Sequence, residues 1–163
     1  MGLLSVGTIS IERARELVGQ EVGLSDWRVV SQEMIDQFAA ATDDHQFIHT
    51  DPERAARETP YGGTIAHGFL SLSLLSTMVF EAVPLLDTAG MGVNFGFERI
   101  RFLAPVRSGA RIRARFVLAN LNERPSGIVE INYDVTVEIE NSLKPALTAH
   151  WLTLAMPDRS RDG

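Results

Sequence analysis

Hydrophobic and polar positions change rhythm near the middle of this chain. In the first half they recur at helical spacing. Met34, Ile35, Phe38 and Ala41 lie three and four apart, which predicts a helix over 31–41 with Ser31 as its cap. Residues 10–19 read as a shorter helix, capped by Ser10 and stopped by Gly19. Between the two, residues 22–30 have strand composition. Asp51-Pro52 opens another short helix, because an Asp side chain accepts first-turn amides and proline is tolerated at the first helical position. It ends before Thr59-Pro60, and residues 60–64 form a turn or loop. Residues 68–83 are apolar nearly all round, interrupted mainly by small hydroxyl residues, until Pro84. A surface helix would carry a polar face, so this one is expected to be wrapped by other structure.

The second half alternates. Segments 92–103, 110–121, 127–140 and 145–155 are rich in Val, Ile, Phe and Tyr, and Ile131, Tyr133, Val135, Val137 and Ile139 fall on one face. Turn residues at 105–109, 123–127 and 141–145 predict antiparallel strands joined by hairpins. The pattern implies an α+β fold, an antiparallel sheet curled around one buried helix. No repeat, low-complexity tract or linker divides the chain, so a single domain is expected over 1–163. Its core would span about 20–156, and the polar tail 157–163 is expected to fray.

Composition narrows the function classes. The 163 residues suffice for one substantial core, and 45% hydrophobic with 22% charged residues describes an ordinary soluble protein. A net charge of −6 argues against nucleic acid, whose phosphates need a basic face. The absence of cysteine removes disulfide scaffolds, thiolate catalysis and cysteine-ligated zinc, and a cytoplasmic location is expected. Residues 1–10 lack a basic n-region and a long apolar run, and Val6 stands where a myristoylation signal wants Ser or Thr. Residues 65–83 are apolar enough to raise a membrane span, but His67, Glu81, Ser71, Ser73 and Ser76 argue against one.

The chemistry concentrates in residues 42–51, where Asp44 and His49 stand five apart. On an α-helix five residues rotate by about 500°, leaving the side chains about 140° apart. On a strand an odd offset puts them on opposite faces. They converge only in an irregular loop, so the chain must leave the helix near Thr42-Asp43, where Asp tolerates a left-handed conformation. A solvated polar loop is the competing reading. His45 is expected to be exposed, His67 to cap a helix or pack at the core edge, and His150 to be structural.

His45 and His49 have His-x-x-x-His spacing, but Gln46 replaces the glutamate a metalloprotease needs and no third ligand is evident, so no metal is expected. Gly68 begins the apolar helix, where first-turn amides lack intrahelical acceptors and a missing Cβ admits close approach. Tight helix–sheet packing would equally require a glycine. Ser73 and Ser76 are read as bonding within the helix rather than as nucleophiles. No Gly-x-Ser-x-Gly elbow or phosphate-cradling glycine loop is present.

Residues 44–52, Asp-His-Gln-Phe-Ile-His-Thr-Asp-Pro, followed by Ala66-His67-Gly68-Phe69-Leu70, resemble the MaoC-like (R)-specific enoyl-CoA hydratases and dehydratases, most closely the nodulation-protein-N-like branch. Residues 94–106 with Gly109 resemble that family's strand-turn segment. The resemblance implies a hot-dog fold, usually dimeric, a catalytic pair at Asp44 and His49, an oxyanion-stabilising amide at Gly68, and Ser76 as a supporting polar residue. The commoner family pattern is Gly-Asp-x-Asn-Pro-x-His. Here Asp43, Gln46 and Phe47 replace its Gly, Asn and Pro, and Gln46 retains the amide with one extra methylene.

The expectation is therefore a hydratase of 2-enoyl thioesters, working as a homodimer. Coenzyme A or a carrier protein would enter only as part of the substrate, with no separate cofactor. Phe69, Leu72 and Val79 are candidate walls for the acyl chain. A hot-dog thioesterase and a non-catalytic acyl-thioester-binding subunit are the alternatives.

Overall fold

A computed structural model of the chain describes residues 6–158 and residue 160. In chain order its elements are β1 (Thr8–Ile9), α1 (Ile11–Glu16), β2 (Glu21–Leu24), β3 (Arg28–Val29), α2 (Gln32–Thr42), α3 (Phe47–Thr50), α4 (Pro52–Glu58), α5 (Gly68–Ser73), α6 (Leu75–Ala82), β4 (Leu85–Leu86), β5 (Ala89–Phe102), β6 (Arg111–Glu123), β7 (Val129–Ile139) and β8 (Leu147–Pro157). The reading of the first five residues, and of residues 159 and 161–163 in the tail, lies outside the described residues.

The long strands pair antiparallel, β6 with β7, β7 with β8, and β8 with β5. With β2 and β3 both on β6 they form a six-stranded sheet in the order β2-β6-β7-β8-β5. Alternation along β7 turns Tyr133, Val135 and Val137 inward, beside Phe116 of β6 and Leu147 and Trp151 of β8. Leu70, Leu75, Met78 and Ala82 of α5 and α6 fill the same core. Burying each large side chain there contributes roughly 1.5–3 kcal/mol, which is why the sheet closes round an apolar helix. The architecture is the α+β sheet around a helix expected from the alternation, and it is the hot-dog fold that the resemblance implied.

Two expected elements are divided. The helix over 68–83 is interrupted at Leu74, which keeps helical dihedrals (φ −67°, ψ −14°). The Ser73 hydroxyl donates to the Phe69 carbonyl at 2.7 Å, an acceptor otherwise serving the helix ladder. The strand over 22–30 becomes β2 and β3. The β2 register shifts between Glu21 and Gly23, and a Cβ on Gly23 would lie 2.6 Å from the Ala82 carbonyl oxygen. Close approach of α6 therefore bends the strand there.

β5 is the sheet's edge. It runs for 14 residues, pairs only with β8 in the sheet, and shifts register at three places, 89/91, 94/96 and 97/99. Met91 and Phe95 are 62% and 53% exposed along it. Among the described residues no helix is long and apolar enough to cross a membrane.

Candidate active site

Local stereochemistry makes the site. The Ser31 hydroxyl accepts the Met34 amide at 3.2 Å and starts α2, and Ile35 and Ala39 bury its inner face. The helix stops at Asp43, which turns left-handed at φ 58°, ψ 23°. The Asp44 carboxylate then accepts the Gln46 amide at 3.4 Å, and the single turn of α3 carries His49. Asp51 caps α4 by accepting the Arg54 amide at 2.9 Å. Further on, Ile65 donates its N–H to the Ile48 carbonyl at 3.0 Å and Ala66 to the Val106 carbonyl at 2.7 Å. That extended stretch delivers His67 beside α3.

Asp44 and His49 thus meet through a loop, as their spacing requires, and His67 joins them. His49 is buried, and its Nδ1–H donates to the Ile65 carbonyl at 2.7 Å, so its other nitrogen, Nε2, keeps a lone pair. The His67 ring stacks on it, centroids 3.8 Å apart and planes at 25°. His67 Nε2–H donates to the Asp44 main-chain carbonyl at 3.0 Å and stands 3.9 Å from its carboxylate Oδ2. Burial holds the His49 pKa below the usual 6.5. Its bond to Ile65 opposes that, His67 reinforces it, and Asp44 opposes it.

His67 is the third donor that the sequence left unseen. One ligand-capable atom from each of Asp44, His49 and His67 lies within 4.8 Å of the others. However, the His67 nitrogen near the carboxylate is already bonded to the Asp44 carbonyl, so a metal there would have to break that bond.

A cleft of about 260 Å³ opens onto His49, Gly68 and Ser71, with Tyr61, Phe102 and Val106 among its walls. Gly68 begins α5 and is exposed, so its N–H has no intrahelical acceptor. A Cβ on Gly68 would lie 2.9 Å from the Phe102 ring, so the open amide and the tight packing hold together.

Gln46 and Ser76 do not line that cleft. Gln46 is exposed and makes no side-chain cap on α3. Ser76 is exposed on α6 and lines a separate, larger cleft of about 430 Å³. Val79 lines that larger cleft too, Leu72 packs against the core, and Phe69 is exposed with its ring edge-on to Phe102 at 5.9 Å. None of these three walls the cleft at His49. The stretch from Phe102 to Val106 does so, because it follows β5 past the helix start. His45 is exposed near Asp43, and His150 lies on β8 with its Nδ1 2.7 Å from Asp134 Oδ1.

Sequence reasoning also missed Gln32. Its side-chain amide donates to the His49 carbonyl at 2.7 Å and accepts the Thr64 hydroxyl at 2.5 Å, clamping α3 to the extended stretch. No local signal marks a first-turn glutamine for such a role. For His67 the only signal was its place before Gly68.

The chain is similar to several known proteins. A family model described as MaoC like domain matches residues 13–141. Nodulation protein N of Rhizobium meliloti is 52% identical over 158 residues, covering 95% of this chain and 98% of that protein. The 3-hydroxyacyl-thioester dehydratase Z of Mycobacterium tuberculosis is 44% identical over 131 residues, 80% of this chain and 85% of that one. A crystal structure described as a monoamine oxidase regulatory protein from Archaeoglobus fulgius matches at TM-score 0.75 and 26% identity, covering 94% of this chain and 98% of that one.

Proposed function

The chain belongs to the MaoC-like domain family of hydratases and dehydratases, and from that premise we propose that it performs (R)-specific hydration of trans-2-enoyl-CoA thioesters, or the reverse dehydration, in fatty-acid metabolism. The observation that carries this reading is the convergence of Asp44 with buried His49, whose Nε2 keeps a lone pair and which shares a cleft with Gly68. One water sits between Asp44 and His49. As its oxygen bonds to C3, one partner takes its proton. The C2–C3 π pair moves toward the thioester carbonyl, and a proton then reaches C2 from the pair. A pair sharing one water titrates and acts as a unit, so base and acid are not assigned separately. The Gly68 N–H stabilises the enolate-like oxygen. Protein groups and water complete this cycle, with coenzyme A present only as part of the substrate. The choice of R over S rests on the family likeness.

Activity is assigned to a homodimer. The free β5 edge with exposed Met91 and Phe95 supports pairing with a second copy, which removes an unpaired row of backbone groups.

A thioesterase would direct an Asp44-activated water at the carbonyl carbon, and would leave the free nitrogen of His49 without a task. A non-catalytic acyl-thioester-binding subunit would need neither group. Incubation with crotonyl-CoA decides among them. Loss of enoyl absorbance is the expected result. Release of free thiol would mean hydrolysis, and neither signal would leave only binding.

A further inference from the structure

We propose that His67 is a positioning residue for the hydration pair, holding Asp44 through its main chain and His49 through its ring face. The inference rests on the reading of Asp44 and His49 given above.

His67 is 3% exposed and stands at the N-cap of α5, yet its side chain does not cap the helix. It contacts three segments instead. Phe38 of α2 lies against it with centroids 5.0 Å apart, His49 of α3 stacks on it, and the carbonyl of Asp44 in the left-handed turn takes its Nε2–H. Asp44 and His49 are the titratable groups clustered with it. The one ring therefore gathers the end of α2, the turn and α3 into a single geometry.

Packing alone does not account for this residue. His67 Nδ1 is buried without a hydrogen-bond partner. A buried polar atom left unpaired costs stability, so an apolar side chain of similar size would serve a purely structural role better. The imidazole is explained by its other edge, which presents an N–H to Asp44. That bond reaches the turn from 23 residues away. The stacked face fixes the tilt of the His49 ring, while Ile65 fixes which of its nitrogens carries the proton.

The test uses the full chain with His67→Leu and His67→Gln. Leu keeps the buried volume and removes the donor, whereas Gln carries an amide N–H toward the place of Nε2. For His67→Leu, kcat on crotonyl-CoA should fall about 10²-fold with KM within about threefold, the size of loss expected from a small misplacement of catalytic groups. For His67→Gln, about tenfold of that loss should return, since one of the two contacts is restored. Wild-type kcat in His67→Leu would overturn the proposal. A second readout needs no activity. Proton–nitrogen NMR of the rings should find His67 as the Nε2–H tautomer and His49 as the Nδ1–H tautomer, with the His49 signals broadened or shifted in both variants. A wild-type His67 ring carrying its proton on Nδ1, or His49 signals unchanged in His67→Leu, would also overturn it. If the wild type hydrates nothing, the functional reading fails on its own, and the ring NMR still decides whether His67 positions His49.

Discussion

His49 is held in its neutral form. Burial lowers its pKa below 6.5, so the fold favours the neutral ring. The sign follows directly. The unfolded chain binds more protons between the folded and unfolded pKa values, so the stability that His49 contributes is complete above 6.5 and is lost as pH falls through the lower folded value. Comparing melts at pH 7.5 and pH 5, acid should therefore cost the wild type more stability than it costs His49→Gln, and an equal loss in both would remove His49 from that account. The acid limb of kcat/KM should likewise have its midpoint below 6.5. Asp44→Asn and His49→Gln should each lower turnover at least about 10²-fold, and the double variant should be little worse than either single one. Near-wild-type turnover in either would exclude that residue from the proton transfers. Spacing showed what a meeting of Asp44 and His49 would require, an exit from the helix that the left-handed Asp43 supplies, whereas the pairing itself was implied by the family resemblance. His67 was not readable in the same way. Its approach depends on Ile65 and Ala66 bonding to Ile48 and Val106, partners far apart in the chain.

At the level of elements, the start of α5 sets two demands against each other. Alanine at Gly68 would improve helix propensity by about 1 kcal/mol. Its methyl would also crowd the Phe102 ring at 2.9 Å, and overpacking of this kind costs about 1–3 kcal/mol. The two nearly offset, so Gly68→Ala should move Tm by only a few degrees. Turnover should fall much more, because the displaced ring shares the cleft with His49. A large drop in Tm with unchanged kcat would show that Gly68 serves packing alone. The caps at Ser10, Ser31 and Asp51 were all legible, since each is a local bargain between one side chain and the next turn. The interruption at Leu74 and the split between β2 and β3 were not. The first depends on a serine rotamer, and the second on how closely Gly23 meets the end of α6.

For the molecule as a whole, alternation in the second half was enough to place β6, β7 and β8, because each buries one face on the same apolar core. The order of those strands, with β5 last, is a tertiary outcome that no local pattern carries. That order leads to the assembly prediction. Light scattering at micromolar concentration should give about twice 18.0 kDa, and Phe95→Lys on the free edge should shift the protein toward monomer. A fully active wild-type monomer would contradict this. The product should be a single enantiomer, since one loop presents water from one side. Coupling to an R-specific 3-hydroxyacyl-CoA dehydrogenase should yield NADH, and a signal with the S-specific enzyme would reverse the assignment. The irregular course of β5 has a consequence for the company this chain keeps. Three register shifts in 14 residues give the strand a kinked profile that a straight foreign strand does not match. What adds to this edge must therefore follow its bends, so the strand narrows the choice of partner by shape before any side chain is read.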